Sequence, residues 1–230
     1  MGRHTTGNSP SARAVPFPRG RSQHHRHTRR TRREEARMTD QPQHLFLIRH
    51  GQTALNAEGR LRGLANPPLD EVGRAEAEET AVALTGRGID IVYCSPLERA
   101  FRTAQIIAHH LDCDFDVVPE FNDRDYGPWT GQVKAEVEAQ FGSIDDAPGV
   151  EPIDHVLKRV WPALDEVMRA HAGVPIAVVT HDALIRPILT TIDPRIGPIE
   201  ARTGSWNELV RHDSSWTVLK YDQNPEAVSR

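Results

Sequence analysis

Leu45-Phe46-Leu47-Ile48 is a short apolar run that stops abruptly at Arg49-His50-Gly51, the pattern of a strand meeting a loop. The pattern returns at Val174–Thr180, nearly all apolar and rich in β-branched residues, as a strand buried on both faces requires. That run also ends on a histidine, in His181-Asp182. Between the two, Asp70 is placed to cap a helix reaching about Leu84, with Gly86 and Gly88 to stop it. Ile89–Cys94 reads as another strand, and Pro96 can open the next helix, since proline is tolerated in a first turn. In that helix Leu97, Ala100, Phe101, Ala104, Ile107, Ala108 and Leu111 make one apolar stripe. Phe115–Val118 is a weaker strand, followed by an irregular acidic and aromatic stretch to Trp129.

A second stripe runs through Ile153, Val156, Leu157, Val160, Trp161, Leu164, Val167 and Met168, and Pro162 inside it is expected to kink or break the helix. Trp206–Val210 and Ser215–Tyr221, joined across His212-Asp213-Ser214, read as a closing hairpin. Alternating strands and helices predict an α/β fold, a three-layer αβα sandwich around a mostly parallel sheet. No internal repeat and no second hydrophobic core is evident.

Charge divides the chain unevenly. It has 230 residues and a net charge of −4. Residues 1–40 carry ten arginines against three acids, a net +7 that leaves −11 for the remainder. With few aliphatic residues this extension cannot offset its ordering entropy, so it is expected to be disordered and separate from a domain over residues 44–230. Met38 is an internal start candidate, and the expectation is that translation begins there. An arginine-rich arm for nucleic acid and a transit peptide are the weaker readings. There is no run of 18 apolar residues and no secretory-type segment, so no membrane span is expected and the chain is assigned to the cytoplasm. Cys94 and Cys113 have no metal-ligand spacing.

Three loops are expected to leave the carboxyl ends of strands: Arg49-His50-Gly51, Ser95 to Arg99, and His181-Asp182. Ligands bind at that edge of open parallel sheets. Two histidines and two arginines, distant in sequence, can therefore converge. Guanidinium forks match phosphoryl oxygens and neutralise their charge without a metal. A neutral imidazole beside them can carry the phosphoryl group covalently.

Leu47-Ile48-Arg49-His50-Gly51-Gln52-Thr53-Ala54-Leu55-Asn56 resembles the signature of the histidine phosphatase superfamily, in its phosphoglycerate mutase-like branch. The likeness continues through Gly63 to Gly73, Ser95-Pro96-Leu97-Glu98-Arg99-Ala100, Asn122 to Gly131, and Val178-Val179-Thr180-His181. The resemblance implies a phosphoglycerate mutase-like fold and a small phosphorylated substrate, with no metal, no cofactor and no nucleic-acid partner. It implies His50 as nucleophile, with Arg49, Arg99 and His181 binding the transferring group and Gln52, Thr53 and Asn56 contacting substrate or phosphate.

The acid–base position departs from that pattern. The branch usually has glutamate where this chain has Asp123, one methylene shorter. Asp182 is the alternative, since His181-Asp182 resembles the acid phosphatase branch, whose proton donor is that aspartate; its plainer reading is a helix cap. The preferred assignment is Asp123. Trp129 is read as lining the pocket mouth or as core. The expected activity is hydrolysis of a phosphomonoester through phosphohistidine. The alternatives are a phosphoglycerate mutase and a non-catalytic phospholigand-binding module. Lys134 is the sole basic residue from Gln132 to Ile153, against five acids, which disfavours a bisphosphoglycerate cofactor. Oligomeric state is left open.

Overall fold

The computed structural model describes residues 42–224; the basic N-terminal extension, with Met38, lies outside them. Six strands form one sheet: β1 (Gln43–Arg49), β2 (Ile91–Cys94), β3 (Asp114–Val117), β4 (Ile176–Thr180), β5 (Trp206–His212) and β6 (Ser215–Gln223). Their spatial order is β3-β2-β4-β1-β5-β6. The first four strands in sequence are mutually parallel, β5 is antiparallel to β1, and β5 and β6 close the edge as a hairpin. The helices are α1 (Ala54–Ala57), α2 (Glu71–Ala83), α3 (Glu98–Leu111), α4 (Lys134–Phe141), α5 (Ile153–Ala170) and α6 (Asp182–Ile192).

The two-residue period of the strands divides the core. Leu45 and Leu47 of β1 and Ile176 and Val178 of β4 face one side, against Val156, Val160 and Leu164 of α5 and Leu184 and Ile188 of α6. Phe46, Ile48, Ala177 and Val179 face the other, where Ala81 of α2 and Ala100, Ala104 and Ile107 of α3 cover them. This is the expected three-layer αβα sandwich, and the fold is phosphoglycerate mutase-like. Each fully buried leucine or isoleucine contributes roughly 1.5–3 kcal/mol, so the central strands hold the largest share of the apolar stabilisation. Asp70 caps α2 as expected, its carboxylate accepting from Gly73 N at 2.8 Å.

Two expectations need correction. Helix α5 continues without a break through Pro162. Pro162 sits on the exposed side, so the carbonyl deprived of its donor can turn to water without ending the helix. There is also a third, small apolar cluster apart from the two that flank the sheet. Leu61, Tyr126, Val137, Ile144 and Ala147 form it, with Trp129 packed edge-on to Phe141 at 4.9 Å. Trp129 therefore belongs to this cluster, and its Nε1 donates to Pro148 O. No helix among the described residues is long and apolar enough to cross a membrane.

Candidate active site

Strand register brings the two histidines together. Arg49, the last residue of β1, pairs with Thr180, the last of β4, so His50 and His181 follow on neighbouring parallel strands. His50 N donates to Thr180 O at 3.0 Å, and the imidazole centroids stand 5.1 Å apart. On the far side of β4, Ser95 N donates to Val179 O, which sets Ser95 Oγ 2.9 Å from His181 Nε2. The next helix, α3, brings in Arg99. Gly51 packs so closely on α2 that a Cβ there would stand 2.1 Å from Gly73 O, and one on Gly73 would stand 2.1 Å from Gln52 O. Glycine at both positions lets the loop carrying His50 lie against the first turn of α2.

The hydrogen bonds fix the state of His50. Its Nδ1 lies 2.7 Å from Gly51 O, an atom that can only accept, so Nδ1 carries the proton. Arg99 Nε donates to Nε2 at 3.2 Å, so Nε2 holds the lone pair. Complete burial, reinforced by Arg99 and Arg49, keeps this imidazole neutral, with its pKa well below the ordinary histidine value. His181 is held neutral in the same way, first by burial and then by Arg99.

The guanidinium of Arg99 spans the centre of the site. It donates to His50 through Nε, to Gly63 O (2.9 Å) and Ala65 O (2.7 Å), and to Asp123 Oδ2 (2.9 Å). His50 and Asp123 thus meet two nitrogens of one planar group. Asp123 is fully buried, with Oδ1 accepting from Arg124 N at 2.8 Å and Oδ2 3.6 Å from His181 Nδ1. Burial raises its pKa above the ordinary aspartate value despite the pull of Arg99 and Arg62.

Asp182 has the opposite character. Burial alone would raise its pKa, but Arg49, Arg62 and Arg186 overcome that and push it well below the usual carboxylate range. Its Oδ1 accepts from Arg62 at 2.7 Å and stands 3.5 Å from Arg49. The cap expected of it is absent: His181 is the N-cap of α6, Asp182 is its first helical residue, and the carboxylate turns to the arginines.

The structure thus gathers Arg49, His50, Arg99, Asp123, His181 and Asp182, and adds Arg62, which the sequence reading passed over. The available signal was an arginine between Leu61 and Gly63 in the glycine-bearing stretch after the His50 loop. Gln52 and Asn56 line a cleft of about 410 Å³ together with Arg49, Arg62, Glu76 and Arg202. Thr53 does not line it. It is buried as the N-cap of α1, its hydroxyl donating to Asn56 Oδ1 at 2.7 Å in a capping box. Arg49 Nε, Arg62 Nε and His181 Nδ1 are buried with no hydrogen-bond partner among the described residues. The two arginine nitrogens can only donate, and a buried donor left unpaired costs roughly 1–3 kcal/mol, so both call for acceptor atoms. Phosphoryl oxygens are acceptors of that kind. No group of three His, Cys, Asp or Glu side chains among the described residues is arranged to hold a metal ion.

The sequence model of the histidine phosphatase superfamily (branch 1) matches residues 45–224. The chain belongs to that superfamily. Over 181 residues it is 28% identical to the uncharacterized phosphatase PhoE of Bacillus subtilis, a match covering 77% of this chain and 93% of that one. Over 198 residues it is 30% identical to a metal-independent phosphoserine phosphatase of Arabidopsis thaliana, covering 80% and 83%. The crystal structure of a phosphoglycerate mutase from Bacillus anthracis superposes with a TM-score of 0.75 over 84% of this chain and 98% of that one, at 20% identity, a likeness of fold. Phosphatases and mutases of this superfamily are phosphoryl-transfer enzymes, and this chain is one of them.

Proposed function

We propose that this member of the superfamily hydrolyses a small phosphomonoester through a phosphohistidine formed on His50. The observation that carries the reading is the neutral His50, its lone pair held on Nε2 beside Arg49, Arg62 and Arg99. The ester's phosphoryl group accepts from the unpartnered nitrogens of Arg49 and Arg62 and from Arg99 Nε, which then releases the His50 lone pair. Nε2 attacks phosphorus, the phosphorus–oxygen ester bond breaks, and the proton on Asp123 passes to the departing oxygen. A water then attacks the phosphohistidine and gives its proton to the Asp123 carboxylate. The nitrogen–phosphorus bond breaks, and inorganic phosphate leaves. Three fixed guanidinium groups supply the charge stabilisation that such a transfer needs.

Asp123 is favoured over Asp182 as the acid because its carboxyl is the one raised toward holding a proton. Hydrolysis is favoured over mutase activity because the cleft beside the arginines is also lined by Glu76, Glu79 and Glu200, which repel a polyanionic bisphosphoglycerate.

The test is hydrolysis of 4-nitrophenyl phosphate by the full chain in the presence of chelator, with and without His50→Ala. Turnover in the wild type, reduced at least about 10³-fold by the substitution, is expected from loss of a covalent nucleophile. Turnover that survives His50→Ala contradicts the reading. Activity that appears only after priming with bisphosphoglycerate supports the mutase instead.

A further inference from the structure

The segment bearing Asp123 has little regular structure of its own. It lies between two single 3₁₀ turns, Pro119–Phe121 and Gly127–Trp129. Its position is set from outside: Thr180 Oγ1 donates to Phe121 O, Arg99 of α3 to the Asp123 carboxylate, and one residue of α5 to several of its carbonyls. The Arg159 guanidinium donates to three backbone carbonyls of this segment, Glu120 O, Asn122 O (2.8 Å) and Asp123 O (3.0 Å). The same group donates to both carboxylate oxygens of Glu151, at 3.1 and 3.3 Å. Glu151 reaches on to the segment as well: Oε2 accepts from Asp125 N at 3.1 Å, and its backbone N donates to Asp125 O at 2.8 Å.

We infer that Arg159 and Glu151 form a clasp that sets the reach of Asp123, making Arg159 a positioning residue for leaving-group protonation. Four residues carry five of these contacts, so the backbone at Asp123 cannot drift without breaking several charge-assisted bonds together. The need follows from the residue type at this position. Aspartate places its carboxyl one carbon–carbon bond, about 1.5 Å, short of where glutamate would place it. A misplacement of about 1 Å can cost about 10²-fold in rate. Arg159 touches none of the groups proposed to react; it acts through the carbonyls on either side of Asp123. This inference rests on the hydrolase reading above.

The experiment compares kcat/KM for two esters, 4-nitrophenyl phosphate and phenyl phosphate, in the full chain and in Arg159→Met, Arg159→Lys and Glu151→Gln. The nitrophenolate leaves readily without a proton, whereas phenolate depends on one. Arg159→Met is expected to lower kcat/KM about 10²-fold on phenyl phosphate and only a few-fold on 4-nitrophenyl phosphate. Arg159→Lys and Glu151→Gln should show the same selective loss in smaller measure. If Arg159→Met loses its cooperative unfolding transition, the lysine variant decides. An equal loss on both esters, or no loss on either, overturns the clasp alone. A wild type inactive on both overturns the hydrolase reading and the clasp with it.

Discussion

The two halves of the site are built by different means. His50, Ser95 and His181 stand at the ends of three adjacent parallel strands, and ladder hydrogen bonds such as His50 N to Thr180 O place them. Asp123 stands in an irregular segment, placed by side chains from α3 and α5. The first half inherits its geometry from the sheet. The second depends on long-range polar contacts that single substitutions can remove. Loss of function by misplacement of a reacting group, as distinct from its removal, should therefore concentrate in the second half.

The largest effect expected from that difference is at the acid. Asp123→Asn should lower kcat/KM on phenyl phosphate by about 10²–10⁴-fold, the usual range for losing a positioned general acid. Asp182→Asn should cost about 10-fold, mainly in KM, because its partners Arg49 and Arg62 remain and lose only an orienting charge. Steady-state kinetics on the two variants decide between the aspartates, and the reverse order would transfer the acid role to Asp182.

Stability should divide the molecule the other way. Leu47→Ala, in the central strand, is expected to cost about 2–5 kcal/mol by denaturant unfolding. Val137→Ala, in the small cluster around Tyr126 and Trp129, should cost about 1–2 kcal/mol, since less apolar area is lost there. Equal costs would mean that the small cluster is as much a part of the cooperative core as the sheet.

The smallest expected effect is in the pH profile of kcat/KM. His50 must be unprotonated, and because its pKa is depressed the rate should hold as pH falls below 6.5, failing only well into acid. Asp123 must be protonated, and because its pKa is raised the rate should decline on the alkaline side as that proton leaves. Asp123→Asn should abolish the Asp123 limb and leave the His50 limb in place. A profile whose acid side falls at the ordinary histidine pKa would contradict the burial argument for His50.

Sequence reading reached the strand-borne half because strands buried on both faces are apolar runs, and the residues that follow them are read off directly. Arg49, His50, Arg99 and His181 emerged that way. The capped α2 and the hairpin of β5 and β6 were legible from Asp70 and from the turn at His212 to Ser214. The other half was less legible for a physical reason. Arg62 meets Asp182 across 120 positions, and Arg159 meets Asn122 across 37, with no periodicity to signal either pairing. Helix α4 is short and has a single buried residue, Val137, so no stripe announced it. Thr53 is implied as a substrate contact by the family resemblance, and a hydroxyl buried in a capping box looks the same in sequence as one facing a substrate.

The central claim is that His50 carries the phosphoryl group, and trapping tests it most directly. The full chain is mixed with 4-nitrophenyl phosphate, quenched in base within milliseconds, digested and mapped by mass spectrometry. The account predicts one phosphoryl group on the peptide containing His50, stable to base, labile to acid and absent from His50→Ala. Turnover with no phosphopeptide, or with the group on another residue, would contradict it.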